Sequence, residues 1–261
     1  MFAVGAGFVA HTYGMDGMQV PGVEPISAHE LGDVDCVVMP NVFAGKDYEA
    51  LGLFDELREG VSLMMFGVRG VPHWVYERFR LVDLLADESL VLANAEMTAE
   101  GAIYCAMRRV KFAIAGARCL IIGFGRIGYA LNERLVALGA EVCVAARREE
   151  IARKAVQRGA RGQSMEEMVA LLGEQKLIFS TPPERVLGEA ELRVVRKDAL
   201  VIDLSSAPFG VDFAAAKRLG RNVRLEAALP GRYCPESAGC AMWTAVQAAM
   251  EEGEAADEKD D

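Results

Sequence analysis

Residues 119–148 read CLIIGFGRIGYALNERLVALGAEVCVAARR, and this stretch decides the fold. The apolar run Cys119–Gly123 has the length and content of a buried strand. Gly123, Gly125 and Gly128 then form G-x-G-x-x-G. Ile127, Leu131, Leu135 and Leu138 recur at helical spacing until Gly139, a residue type that ends helices. Glu141–Ala146 returns to a strand pattern. Strand, glycine turn, helix and strand in this order form a unit that binds dinucleotides. Gly123 permits a tight turn, Gly125 lets the backbone approach a pyrophosphate, and Gly128 lets helix and strand pack closely. The first helical turn, carrying Arg126 and Ile127, offers free N–H groups and a partial positive charge to phosphates.

The end of the second strand discriminates between cofactors. An acid roughly 20 residues past the glycines binds ribose hydroxyls and repels a 2′-phosphate. This chain has Ala145-Ala146-Arg147-Arg148 instead. Two guanidinium groups there can pair with a 2′-phosphate through forked, charge-assisted hydrogen bonds, which selects NADP(H) over NAD(H). The alternative is a pair of solvated arginines at a helix start.

Outward from this unit, short apolar runs alternate with helical periods. Phe8–Tyr13, Val34–Met39 and Val61–Gly67 read as buried strands, Tyr48–Arg58 and Trp74–Leu85 as helices, and Val91–Ala93 as one more short strand. Thr98–Phe112 reads as a helix with Thr98 as N-cap and Glu100 in its first turn. Further strands are predicted near 118–123, 141–146, 176–180, 199–204 and 223–227, with helices near 126–138, 149–158, 164–173 and 211–219 and a last helix over Ser237–Glu252. The alternation predicts an α/β protein of two Rossmann-like parallel-sheet domains with an interdomain cleft. Residues 1–96 form the substrate domain, 97–112 a linker helix and 113–236 the NADP-binding domain. The last helix can pack back on the first domain, and 253–261 is an acidic disordered tail.

Composition narrows the function. The chain has 261 residues, of which 52% are hydrophobic, and a net charge of −10. The terminal EEGEAADEKDD holds seven acids and one lysine and so carries six of those ten charges. An acidic chain without a basic stripe is a poor ligand for nucleic acid. Six cysteines without a CxxC pair read as reduced thiols, and no metal site is expected. The opening MFAVGAGFVA lacks a basic n-region, and no apolar run reaches the roughly 18 residues of a membrane span. A cytoplasmic location follows as the expectation.

Ligands in such sheets bind beyond the carboxyl ends of the strands, where three loops fall. In STPP, Ser180, Thr181 and Pro182 wall a nicotinamide or form a proline-stopped connector. In DLSSAPFGVD (203–212), Ser205 and Ser206 orient a substrate carboxylate or cap the turn. Asp203 there is a proton-transfer candidate or a receiver of backbone hydrogen bonds, and Glu100 is a second such candidate or a helix cap. In ALPGRYCPESAG (228–239), Pro230-Gly231 reads as a tight turn, with Arg232 and Tyr233 as polar candidates. The only histidines are His11, His29 and His73, all upstream of the glycine turn, which disfavours dehydrogenases that use a late histidine as acid/base.

The segments NAEMTAEGAIYCAM (94–107), CLIIGFGRIGYAL (119–131), ALGAEVCVAARR (137–148), LVIDLSSAPFGVDF (200–213) and ALPGRYCPESAG (228–239) resemble, in order and spacing, the A subunit of bacterial dipicolinate synthase. The resemblance implies NADP-linked oxidation of a dihydro- or tetrahydropyridine dicarboxylate from the lysine pathway to dipicolinate, a spore component. It also implies a separate flavoprotein-like B subunit, and a homo-oligomer is expected. Carried over by motif, Thr98, Glu100 and Asp203 are catalytic candidates, and Asn94, Ser205, Ser206 and Gly231 substrate-binding ones. Asn94, Thr98, Glu100 and Gly101 face the cleft, and Thr181 and Asp203 stand near the nicotinamide. The chain departs from the family at three places: an opening strand with a Gly-Gly-Asp turn, an arginine where Ala207-Pro208-Phe209 stands, and a Ser-x-Pro where Ala95-Glu96-Met97 stands. Arg69, Arg78 and Arg232 are candidates to replace the lost cations. Other functions compatible with these residues are a related hydroxy- or amino-acid dehydrogenase and a catalytically weakened NADP(H)-binding regulatory protein.

Overall fold

The computed structural model describes residues 28–34, 36–39, 53–68 and 70–260, with the pairs 11–12 and 24–25. The chain divides into two compact α/β units, one of Met1–Ala93 with Glu236–Asp261 and the other of Asn94–Pro235. In the first, β1 (His11–Thr12) pairs in parallel with β2 (Glu24–Pro25). The rest of the strand predicted at Phe8–Tyr13 lies outside the described residues, as do parts of the predicted helix Tyr48–Arg58. The core of this unit is a parallel sheet of β3 (Cys36–Val38), β4 (Ser62–Met65) and β5 (Arg80–Asp83), with β4 central. Helices α1 (Leu53–Glu56) and α2 (His73–Arg78) connect these strands. Strand alternation sends Leu63 and Met65 to a cluster with Phe54, Val75 and Phe79, and Met64 to a second cluster with Leu84 and Leu90. Both faces of β4 are therefore buried, as a parallel sheet requires.

Two expectations in this region are corrected. The helix predicted over Trp74–Leu85 ends at Arg78, because Phe79 turns extended (φ −131°, ψ 151°) and the next four residues pair with β4. The spacing of Val75, Phe79 and Val82 suits a helix, but it suits a short helix followed by a strand equally well. The strand predicted at Val91–Ala93 is instead part of α3 (Glu88–Met107), so Thr98 lies mid-helix and Glu100 is far from the first turn. The cap is Asp87, whose Oδ1 accepts from Ser89 N (2.8 Å), Ser89 Oγ (2.5 Å) and Leu90 N (3.1 Å). The Ser89 hydroxyl first, and then the Leu90 amide, hold the Asp87 carboxyl below its ordinary pKa.

The second unit holds a six-stranded parallel sheet of β6 (Arg118–Ile122), β7 (Glu141–Ala146), β8 (Arg161–Ser164), β9 (Leu177–Ser180), β10 (Leu200–Asp203) and β11 (Asn222–Leu225). Its order is β11-β10-β9-β6-β7-β8, the doubly wound arrangement. The connecting helices are α4 (Arg126–Ala137), α5 (Glu149–Val156), α6 (Met165–Leu171), α7 (Glu189–Val194) and α8 (Phe213–Arg218). After β11 come α9 (Leu229–Tyr233) and then α10 (Pro235–Asp260), which from Glu236 onward belongs to the first unit. Cys119, Ile121, Phe179 and Ile202 face one layer with Ala99, Leu131 and Leu135, while Leu120, Ile122, Ile178 and Val201 face Met168, Leu172 and Leu192. Alternation within each strand thus feeds two cores.

Strand β8 was not expected, since Arg-Gly-Gln-Ser carries no β-forming signal. Its Gly162 is required there: a Cβ would stand 2.2 Å from Ala152 O in α5. Pro230-Gly231, predicted as a turn, lies inside α9, and α10 continues to Asp260 through residues expected to fray. None of the six cysteines forms a disulfide, and burial pushes the Cys119 thiol up to about 12 and raises that of Cys143. Both behave as small apolar side chains. Among the described residues no helix is long and apolar enough to cross a membrane, and no His/Cys/Asp/Glu group suits a metal.

Candidate functional site

The chain leaves β8, at one edge of the larger sheet, and returns as β9 on the other side of β6. The loops after β6 and β9 therefore open a crevice at the carboxyl ends of adjacent strands. Thr181, just past β9, donates from N and Oγ1 to Ile122 O at 3.1 and 3.0 Å, so the two loops are tied together. Gly123 takes φ +88°, a conformation L side chains rarely adopt, and a Cβ on it would lie 2.5 Å from Thr181 Oγ1. At Gly128 a Cβ would stand 2.2 Å from Gly123 O. A Cβ at Gly125 would meet nothing within 4 Å. Gly125 is also the N-cap of the 12-residue α4 and puts no side-chain hydrogen bond over its end. Open space at the start of a helix, with closure behind, fits the pyrophosphate of a dinucleotide. At the other end of α4, Gly139 N donates to Val136 O and Ala140 N to Leu135 O, which closes the helix as its glycine predicted.

A cavity of about 250 Å³ opens beside this turn. Gly123, Phe124 and Gly125 form one end, and Ala146, Arg147 and Arg148 form part of its wall. Pro182 and Glu184 reach it from the loop after β9. The glycine turn and the two arginines therefore share one cavity. Arg147 forms an ion pair with Glu184, and Arg148 Nη1 lies 3.5 Å from Glu150 Oε1. Ser180 is fully buried at the end of β9, and its Oγ has no hydrogen-bond partner among the described residues.

Asp203 ends β10 with no solvent exposure. Its Oδ1 accepts from Ser205 N (3.1 Å) and Ser205 Oγ (2.7 Å), and its Oδ2 from Gly210 N (2.9 Å) and Val211 N (3.1 Å). Four donors on a buried carboxylate make it a loop organiser and leave it no open lone pair for proton transfer. Ser205 is 5% exposed and also accepts from Gly210 N, so it belongs to the same knot. Ser206 is exposed, and its carbonyl accepts from Phe209 N.

The candidates on α3 are not drawn to the glycine turn. Thr98 is buried and donates to Asn94 O at 2.7 Å. Gly101 is a packing glycine whose Cβ would be 2.9 Å from Leu229 Cβ. Glu100 is exposed and pairs with Arg134 Nη2 at 3.0 Å. Arg134 lies eight residues into α4, about 12 Å along its axis from the phosphate-facing end. Gly231 is exposed in α9 with open space around it.

Of the candidate replacement cations, Arg78 donates to Phe54 O, and Arg69 lies outside the described residues. Arg232 holds Glu226 at 2.9 Å. Glu226 is itself buried and takes Arg109 at 2.6 Å. Neither Glu226 nor Glu184 was anticipated. The place of Glu184 directly after the proline-stopped strand end is visible in sequence, but its partner Arg147 is not.

Among known proteins, the A subunit of dipicolinate synthase from Bacillus subtilis (strain 168) is 29% identical over 160 residues, a match spanning 61% of this chain and 54% of that relative. The match thus covers about half the length of that protein. In structure, the corresponding A subunit from Bacillus halodurans superposes with a TM-score of 0.79 at 23% identity, over 92% of this chain and 88% of that one. The A chain of the Bacillus subtilis synthase gives 0.78 at 22% identity, over 94% and 88%. These likenesses agree with the resemblance read from the five sequence segments. The pattern described as "D-isomer specific 2-hydroxyacid dehydrogenase, NAD binding domain" matches residues 89–228, the stretch holding the glycine turn and all six strands of the larger sheet, and the chain belongs to that family.

Proposed function

We propose that the protein is a cytoplasmic NADP-dependent oxidoreductase of the dipicolinate synthase A-subunit type, converting a dihydro- or tetrahydrodipicolinate to dipicolinate. The 160-residue similarity to the Bacillus subtilis protein carries this reading. A bound NADP⁺ would supply the hydride acceptor, one equivalent for a dihydro substrate and two for a tetrahydro one, with one proton released for each hydride taken up. The protein's part is binding and orientation. Gly125 and the first turn of α4 receive the pyrophosphate, and Gly123 and Gly128 hold that turn against β6. Thr181 and Pro182 wall the nicotinamide end, and the Asp203 knot fixes the following loop beside them, since Gly210 approaches both Ser180 Oγ and Pro182 O. Arg147 and Arg148 face the adenosine 2′-phosphate. No histidine occurs between residues 89 and 228, which supports a reaction other than histidine-assisted hydroxyacid oxidation. A small-molecule substrate, a homo-oligomer and a separate B subunit complete the reading.

Two measurements test it. Purified protein given dihydrodipicolinate and NADP⁺, with and without a dipicolinate synthase B subunit, should produce reduced cofactor and dipicolinate absorbance together. No turnover under either condition would leave a cofactor-binding regulatory protein as the better description. Direct titration should favour NADPH over NADH by about tenfold, and R147A/R148A should remove that preference, the scale expected for charge-assisted phosphate contacts. Equal affinities in the parent protein would sink the cofactor assignment.

A further inference from the structure

The cavity beside the glycine turn contains an acid as well as two bases. Glu184 reaches it from the loop after β9, just beyond Pro182 and Pro183, whose rings fix φ and limit where the next side chain can go. Its carboxylate pairs with Arg147, the first residue after β7. Arg148, by contrast, pairs with Glu150, which does not line the cavity. Doubly wound folds that bind the unphosphorylated cofactor carry their ribose-facing acid at the end of the second strand. Here that position is basic, and the acid comes from a different loop and is held on the base.

We infer that Glu184 is a specificity-determining residue: an internal counter-anion that occupies the Arg147 guanidinium and sets how strongly the site prefers a 2′-phosphorylated adenosine. A planar guanidinium offers a limited fork of donors, and a carboxylate already seated on it competes with an incoming phosphate for the same N–H groups. The phosphate must also approach a second negative charge within the same small cavity. An adenosine carrying only a 2′-hydroxyl meets neither obstacle. Glu184 therefore weakens binding of the phosphorylated cofactor selectively, and two arginines in this cavity yield less discrimination than their number implies. Both side chains remain about half exposed, at 63% for Arg147 and 47% for Glu184, so the brake is graded by solvent and salt. The inference rests on the proposed role of Arg147 in facing the 2′-phosphate.

The test is direct binding rather than turnover. Dissociation constants for NADPH and NADH are measured by calorimetry for the parent protein, E184Q, R147A, E184Q/R147A, R147A/R148A and E150Q. Glu184→Gln keeps the side chain's size and removes its charge. It should tighten NADPH about tenfold and change NADH by less than about twofold, the scale of losing one partly screened competing charge. The gain should be clearly smaller when Arg147 is already alanine, because competition for the guanidinium is then gone and only the screened repulsion by Glu184 remains, and Glu150→Gln should leave both constants within about twofold. An NADPH constant unchanged by Glu184→Gln overturns the inference. So does an NADH constant that weakens with it, since Glu184 would then be an acceptor for ribose hydroxyls. The underlying cofactor reading fails separately, if R147A/R148A leaves the NADPH-to-NADH ratio unaltered. If that variant removes the preference while Glu184→Gln is silent, only the counter-anion inference falls.

Discussion

Gly128→Ala is expected to abolish dinucleotide binding and to lower unfolding free energy by about 2 kcal/mol, although alanine is normally the better helix former. In an open helix interior the exchange would gain roughly 1 kcal/mol. Here the new Cβ would stand 2.2 Å from Gly123 O and 3.0 Å from Gly123 C. Both atoms are backbone and cannot swing aside. Either α4 lifts from β6 or the glycine turn opens, and overpacking of this kind costs about 1–3 kcal/mol or more. The clash outweighs the propensity gain and displaces the turn that receives the pyrophosphate.

Gly125→Ala is the informative contrast. Its Cβ would meet nothing within 4 Å, so stability should change by less than about 1 kcal/mol, the scale of an N-cap exchange. Yet the added methyl projects into the space assigned to phosphate, and binding should fall with it. Urea unfolding and NADPH calorimetry on both variants separate the two effects. A Gly128→Ala protein as stable as the parent would contradict the packing role. A Gly125→Ala protein that binds NADPH normally would remove the pyrophosphate from that turn.

The glycine turn was legible in sequence because each of its features has a local cause. Strand content, glycine spacing and the helix stop at Gly139 all lie within the stretch that they shape. The six-stranded sheet was legible for a related reason, since its central strands are buried on both faces and read as continuous apolar runs. What escaped was set by distant partners. Strand β8 forms because β7 offers an edge and Gly162 lets α5 approach, and neither is visible in Arg-Gly-Gln-Ser. The start of α3 was misplaced because Val91–Ala93 suits a strand or a helix, while the deciding cap, Asp87, lay just upstream of the apolar run. Acid/base roles are the least legible in sequence, because burial and partners determine what a carboxylate does. Glu100 and Asp203 are equivalent as letters, but one is a solvated ion-pair member and the other an enclosed hydrogen-bond acceptor. Glu184 and Glu226 acquire interest only from arginines brought to them by the fold.

The Asp203 geometry predicts an outcome that distinguishes a structural carboxylate from a proton carrier. Asp203→Asn should destabilise the protein by about 3 kcal/mol, whereas loss of a proton carrier alone would spare stability. The amide is isosteric but retains a single oxygen, and four donors converge on the carboxylate it replaces. The best arrangement keeps that oxygen on Gly210 N and Val211 N and turns the NH₂ towards Ser205 Oγ, which can accept. Ser205 N is then a buried orphan, costing about 1–3 kcal/mol, and the remaining bonds lose their charge assistance. Asp203→Ala would strand the amides of Ser205 and Val211 and leave Gly210 N only Ser205 Oγ, at a cost on the order of 5 kcal/mol, close to the whole stability of many domains, so the asparagine variant is the usable one. Because Gly210 approaches Ser180 Oγ and Pro182 O, a loosened loop should be felt at the nicotinamide wall as weaker NADPH binding. Amide hydrogen exchange at Gly210 and Val211 should accelerate by about a hundredfold, reporting local opening of the 204–211 loop. If Asp203→Asn instead unfolds at the parent's urea midpoint, keeps both amides protected and loses only turnover, Asp203 is a proton-transfer group and the loop-organising role is wrong.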